Sequence, residues 1–248
     1  MPVTGHIIAI GNLKGGTGKS TLAVNLSCAL ATGAGGSAVL VDADSQGTAV
    51  TWAGRGRLPV EVIPMPFEPD DAGMPSIGPT DTRPTAFGAV GGAEEGRAGA
   101  NERWLATLNA LAKEHRFVVI DLPPNLGACI VMALVAADLL VVPVTPSGAD
   151  LKATCKAIDL LRNARKVRSG GKPSCLLVPS KVDRRTAVGR EIEAVLHDFG
   201  EPVAPAIGQR SAHIDAFTAG EWIGTYAPQT AAHHEIQALT AIIRRARP

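Results

Sequence analysis

The ten residues Asn12-Leu13-Lys14-Gly15-Gly16-Thr17-Gly18-Lys19-Ser20-Thr21 carry the clearest chemistry in the chain. Closely spaced glycines let successive backbone N–H groups turn toward one centre, which makes a cradle for an anion. A lysine followed by a hydroxyl residue sets a cation and an oxygen ligand beside that cradle. The segment suits a phosphate chain. Gly15, Gly16, Thr17, Gly18 and Thr21 would surround it, Lys19 would reach the β- and γ-phosphates, and Ser20 would ligate Mg²⁺. A glycine-rich turn is common, whereas Gly-Lys-Ser between a strand and a helix is selective. The strict spelling G-x-x-x-x-G-K-[ST] is not met, because Leu13 stands at its first glycine. Lys14 instead gives the loop a second lysine, five residues before Lys19.

These residues need a strand before them and a helix after them, and the apolar pattern supplies both. His6–Ile10 reads as a short strand; from Ser20, Leu22, Leu26, Ala29 and Leu30 recur at helical spacing until Gly33–Gly36. Further apolar runs at 37–41, 117–120, 139–144 and 175–178 read as strands, the first two closing on Asp42 and Asp121. Helices are expected near 102–111, 150–167, 190–199 and 234–247. Short continuous apolar strands alternating with helices predict an α/β fold, a mostly parallel twisted sheet with helices on both faces in three layers. Strand-end aspartates are usually caps or turn formers. In an open α/β sheet the same strand ends face the ligand crevice, which makes Asp42 and Asp121 candidate site residues.

One stretch breaks this rhythm. Residues 54–100 hold 9 Gly and 7 Pro, too many for the interior of an element. A short strand at 60–63 is expected within it, and 64–100 reads as a surface insertion in a single domain spanning 1–248. No apolar run approaches the roughly 18 residues that span a bilayer, and the N-terminal residues resemble no leader, so a cytoplasmic protein is expected. Cys28, Cys129, Cys155 and Cys175 are scattered without a C-x-x-C pair, which argues against a zinc site or a disulfide framework. The net charge of +1 hides an asymmetry: residues 1–150 hold 9 basic and 14 acidic side chains, and residues 151–248 hold 15 and 9. An anionic partner would be sought on the basic part, although solvated helix faces give the same composition.

Lys14-Gly15-Gly16-Thr17-Gly18-Lys19-Ser20 resembles the deviant Walker A box of the ParA/MinD family of ATPases, K-G-G-x-G-K-[ST]. The resemblance implies a role for Lys14 in catalysis, reaching across a nucleotide-bound dimer to the partner's phosphates. Asp42-Ala43-Asp44-Ser45-Gln46-Gly47 resembles the family's D-x-D-P-Q-G box, with Ser45 in place of proline. It implies that Asp42 holds the metal through water and that Asp44 orients the attacking water. The strand closing on Asp121, followed by Leu122-Pro123-Pro124, resembles the Walker B strand, which implies an outer metal ligand at Asp121. Residues 142–147 resemble the strand and turn near the family's dimer interface, and 206–210 the turn bordering adenine. About 200 residues can be threaded onto the small partition ATPases, and with the first strand at its start the chain is expected to lack the helix-turn-helix domain of larger relatives.

The implied function is a ParA-type ATPase with ATP and Mg²⁺ as cofactors. It would form a homodimer in the ATP state, bind DNA without sequence preference at the nucleoid, and answer to a small basic adaptor of ParB type or specific to a cargo. Arg162, Arg165, Lys166, Arg168, Lys172, Arg184, Arg185 and Arg210 are the candidate DNA contacts; Arg185 falls where similar proteins carry a DNA-contacting arginine. The alternative is a MinD-like membrane-cycling ATPase, which needs a stronger amphipathic helix than 234–247. An iron–sulfur carrier would need paired cysteines, and a polysaccharide-type tyrosine kinase a tyrosine-rich tail, whereas Tyr226 is the chain's one tyrosine.

Overall fold

The computed structural model describes residues 5–67, 99–124, 128–168 and 172–246. Most of the expected 64–100 insertion therefore lies outside the described residues. Six strands are described: β1 (His6–Ile10), β2 (Ala38–Asp42), β3 (Glu61–Pro64), β4 (Phe117–Asp121), β5 (Leu139–Val144) and β6 (Ser174–Pro179). They form one sheet in the order β3-β2-β4-β1-β5-β6, and every pairing is parallel. The helices are α1 (Lys19–Thr32), α2 (Thr48–Ala53), α3 (Ala100–Glu114), α4 (Ala128–Ala136), α5 (Gly148–Val167), α6 (Ala187–His197), α7 (Ser211–Ala219), α8 (Ile223–Tyr226) and α9 (Ala231–Arg245).

The strands read as unbroken apolar runs because both faces of the sheet are covered. Ile8, Ile10, Leu40, Val119 and Val141 point to a core shared with α1, α2 and α7–α9. Their neighbours Ile7, Ala9, Val41, Ile120 and Val142 point to a second core beneath α3–α6. The expected three-layer α/β/α architecture is the one observed.

Four helices, α2, α4, α7 and α8, have no counterpart among the helices expected from the sequence. Two of them are only six and four residues long. The sequence of α4, ACIVMALVA, is apolar almost all round, so it shows no 3.6-residue period. Caps also start helices earlier than the apolar pattern does. Thr186 accepts from the Gly189 N–H at the head of α6, and Thr230 from the His233 N–H at the head of α9.

Helix α9 lies against α1, with Ile236, Leu239 and Ile243 buried in the first core. The Arg244 guanidinium donates to the carbonyls of Leu30 (3.0 Å) and Ala29 (3.4 Å) at the open end of α1. A cation there answers both the unpaired carbonyls and the negative end of the helix dipole. Arg244→Met should lower the unfolding free energy by about 1–2 kcal/mol, whereas Arg245→Met, at an exposed position, should change it by less than about 0.5 kcal/mol. Denaturant titration of the two variants tests the contrast.

Candidate nucleotide site

The loop between β1 and α1 is anchored at its root. The Gly11 N–H donates to the Val141 carbonyl on β5 (3.0 Å), and the Asn12 amide nitrogen to the Pro143 carbonyl (2.8 Å). Gly16 (φ 79°) and Gly18 (φ 91°) then take left-handed conformations that side chains disfavour, curling the backbone around one centre. Leu13, at the position of the missing glycine, packs into the second core. Lys19 is only 6% exposed, and its ammonium donates to the Lys14 carbonyl at 3.1 Å. Burial lowers its pKa, opposed by the charges of Asp121 and Asp44. The Thr17 hydroxyl is buried and has no hydrogen-bond partner among the described residues.

Parallel register sets the acidic side of the site. Asp121 is the pairing partner of Ile10 on one side and of Asp42 on the other, so both aspartates stand where the loop leaves β1. Asp42 accepts the Val50 N–H (3.0 Å) and the Asp44 N–H (3.2 Å), capping α2 as well as facing the crevice. Asp44 accepts the Gln46 N–H at 3.0 Å through its side chain and the Gly47 N–H at 2.9 Å through its carbonyl. Those two bonds hold the turn at Ser45 without a proline.

Asp121 is fully buried, and neither carboxylate oxygen accepts a well-formed hydrogen bond among the described residues. Burial, helped by Asp42 and Asp44, pushes its pKa up to about 7, against the nearby Ser20 hydroxyl and Lys19 charge. An orphaned carboxyl beside a hydroxyl fits a hard cation. Among the described residues no three His, Cys, Asp or Glu are placed to cage a metal. Mg²⁺ does not need a cage, since it keeps water and takes phosphate oxygens with only one or two protein ligands. Ser20, with Asp42 and Asp121 behind it, would hold such an ion, which would supply charge neutralisation at the phosphates.

Lys14 reaches the other way. Its side chain is 42% exposed, and its ammonium pairs with the buried carboxylate of Asp150 in the first turn of α5. Burial alone would raise the Asp150 pKa, but hydrogen bonds from Lys14 and Thr145 outweigh it and hold the carboxyl below the usual carboxylate value. Ser147 caps the same helix by accepting the Asp150 N–H.

A cavity of about 340 Å³ opens beside the loop, lined by Gly18, Thr21 and Leu22 on one side and Ile207–Arg210 on the other. Trp52, Lys181, His213 and Phe217 also line it, and the sequence reading singled out none of them. Trp52 and Phe217 meet edge to face at 5.2 Å. His213 is buried, and neither ring nitrogen has a hydrogen-bond partner among the described residues. Each of these residues sits outside any phosphate motif, so only the folded chain brings them to the loop.

The eight candidate DNA contacts do not form one surface within the protomer. Arg162, Arg165, Lys166, Arg168 and Lys172 lie where α5 returns to the starts of the strands, away from the phosphate loop. There Arg165 forms a two-pronged pair with Glu201, Arg168 donates to the Leu134 and Ala137 carbonyls, and Lys172 pairs with Asp138. Arg184, Arg185 and Arg210 lie at the other end of the strands, around a groove of about 600 Å³ next to the cavity beside the loop. They pair with Glu193, Asp183 and Glu235.

The Asp121 environment has a consequence for stability. A carboxyl whose pKa is raised on folding favours the folded state while it is protonated in the fold, and that stability fades as pH rises from its unfolded value of 3.8 to about 7. Asp121→Asn should flatten this decline and raise the melting temperature of the nucleotide-free protein at pH 8 more than at pH 5. Equal shifts at both pH values would contradict it.

Comparison with known proteins agrees with this geometry. The family model described as the CobQ/CobB/MinD/ParA nucleotide binding domain matches residues 8–222. The chromosome-partitioning ATPase Soj of Thermus thermophilus is 33% identical over 239 residues, covering 94% of this chain and 92% of Soj. The maintenance of carboxysome distribution protein A of Halothiobacillus neapolitanus is 29% identical over 215 residues, covering 86% and 84%. Among solved structures, the MinD cell division ATPase of Pyrococcus furiosus shares the fold, with a TM-score of 0.69 at 20% identity over 98% of this chain and all of that one. Loop, strand-end aspartates and matched span together place this chain in the MinD/ParA nucleotide-binding family, as a small ParA-type ATPase.

Proposed function

We propose that the protein is a positioning ATPase whose two ATP-bound protomers close face to face, bind DNA without sequence preference, and part again on slow, partner-stimulated hydrolysis of ATP. The observation that carries this reading is the placement of Lys14. Lys19 already serves the loop of its own chain, while Lys14 stands half exposed at the rim, held among the described residues by Asp150. A lysine there can exchange its own carboxylate for the phosphates of a second protomer. Charge grows on the phosphoryl oxygens as the terminal phosphate transfers, and a cation supplied in trans stabilises it. Asp44, on the turn beyond β2, is the group to orient water, with Asp42, Asp121 and Ser20 serving the metal.

The named relatives support cargo positioning, since one partitions chromosomes and another maintains carboxysome distribution. Of the basic groups, Arg184, Arg185 and Arg210 are best placed to meet DNA, because they lie at the phosphate-loop end of the strands, beside the cavity, and would respond to a nucleotide there. A small basic adaptor completes the cycle as activator. A membrane-cycling role draws less support: the apolar face of α9 is buried against α1 and Arg244 caps that helix. Among the described residues no helix is long and apolar enough to cross a membrane.

Lys14→Ala tests the closure. ATP should still bind each protomer, while the concentration-dependent part of hydrolysis should fall by about 10² or more; concentration-dependent turnover that survives would reject the sandwich. For DNA, ATP but not ADP should promote binding to duplexes of arbitrary sequence. About six phosphate contacts per dimer give a log–log salt slope near −5. Arg185→Glu should weaken binding alike at every sequence and leave ATP affinity unchanged. Mobility shifts equal in ATP and ADP would remove the nucleoid from the reading.

A further inference from the structure

The turn after β6 sends a third lysine onto the phosphate loop. The Lys181 ammonium donates to the Gly16 carbonyl at 2.7 Å, across 165 residues of sequence. Its stem lies along the loop as well. A Cβ placed on Gly18 would stand 3.0 Å from the Ser180 hydroxyl and 3.7 Å from Cε of Lys181. Lys181 also lines the cavity beside the loop, so one side chain spans the loop and the space beside it.

The backbone under Lys181 is strained and tightly held. Its φ of 53° is left-handed, a region lysine rarely enters. Such a conformation persists only where the surroundings over-determine it, and it concentrates at functional sites. Here the neighbours provide that restraint. The Ser180 N–H donates to Val144 (2.8 Å), the Val182 N–H to Ile207 (3.0 Å), and the Gln209 N–H to Val182 (3.1 Å). Ser180 and Val182 are both buried.

We infer that Lys181 is a positioning residue of the phosphate loop, fixing the Gly16–Thr17 peptide through the Gly16 carbonyl so that the Thr17 N–H stays turned the other way, toward a bound polyphosphate. In a trans peptide the C=O and N–H point to opposite sides, so holding one orients the other. A flipped peptide would set a carbonyl oxygen against phosphate oxygens. The charge balance agrees. Lys14 has Asp150, and Lys19 has the nearby charges of Asp121 and Asp44. Among the described residues the Lys181 ammonium pairs with no carboxylate, so its charge remains to favour an anion. This inference rests on the nucleotide reading above and adds that Lys181 contributes affinity for ligands that carry the polyphosphate and none for the bare nucleoside.

Titration calorimetry and competition with ATP, ADP and adenosine, on the full chain and its Lys181→Met and Lys181→Arg variants, test it. Methionine keeps the stem and removes the charge and the hydrogen bond. It should weaken ATP and ADP binding about fivefold to tenfold, with adenosine unchanged, and arginine should recover most of the loss. In the nucleotide-free protein, the Thr17 and Gly18 amides should exchange with solvent faster in Lys181→Met than in wild type. Unchanged ATP affinity, an equal loss for adenosine, or unchanged amide exchange would each overturn the inference. A wild-type protein that binds no nucleotide would instead overturn the nucleotide reading, leaving the exchange measurement to decide on Lys181.

Discussion

The buried carboxyl of Asp121 is the constraint around which the site is arranged. A charge without partners in the interior is costly, and the fold answers by placing Lys19, the Ser20 hydroxyl and the positive end of α1 around it. Parallel register makes this placement unavoidable. Ile10, Asp121 and Asp42 are level across three adjacent strands, so the loop that leaves β1 must run past both carboxylates. Moving β4 by one residue would turn Asp121 to the opposite face and bring an apolar neighbour into its place.

Three lysines meet this loop from different parts of the chain, each restrained in its own way. Lys19 is buried and bonded to the loop's own backbone, Lys14 is tethered to the head of α5, and Lys181 arrives from the turn after β6. The tether of Lys14 joins opposing features. Asp150 is buried with its charge stabilised, yet the lysine that stabilises it is half exposed. Removing Lys14 from Asp150 leaves a buried carboxylate with fewer partners, so Lys14 should move only when another anion takes it up. In the proposed closure of two protomers, release of Lys14 would therefore be felt at the head of α5.

The arginines show why composition misleads about function. An excess of positive charge after residue 150 suggests one anionic partner. In the fold, much of that charge is structural: Arg165 binds Glu201, Arg168 closes the end of α4, and Arg244 closes the end of α1. The cations around the groove beside the nucleotide cavity are fewer, and their pairs are on the surface, where ion pairs are weak and readily exchanged for phosphate. Burial, which a count of charges cannot see, separates the two groups.

Local chemistry was legible in the sequence, because glycine conformational freedom, the Lys-Ser pair and aspartates closing apolar runs are properties of consecutive residues. The parallel α/β fold was legible for the same reason: a strand covered on both faces must be apolar at every position, and 117–120 and 139–144 are. What lay beyond it were α4, whose uniform apolarity hides its helical period, and the short α2, α7 and α8. Only tertiary structure could bring Lys181, His213, Trp52 and Phe217 to the cavity beside the loop, pair Lys14 with Asp150, and divide the arginines between opposite ends of the strands. Each of these contacts joins residues far apart in the chain, and their meeting depends on strand order and on which end of each strand a turn leaves, neither of which is encoded in any short run of residues.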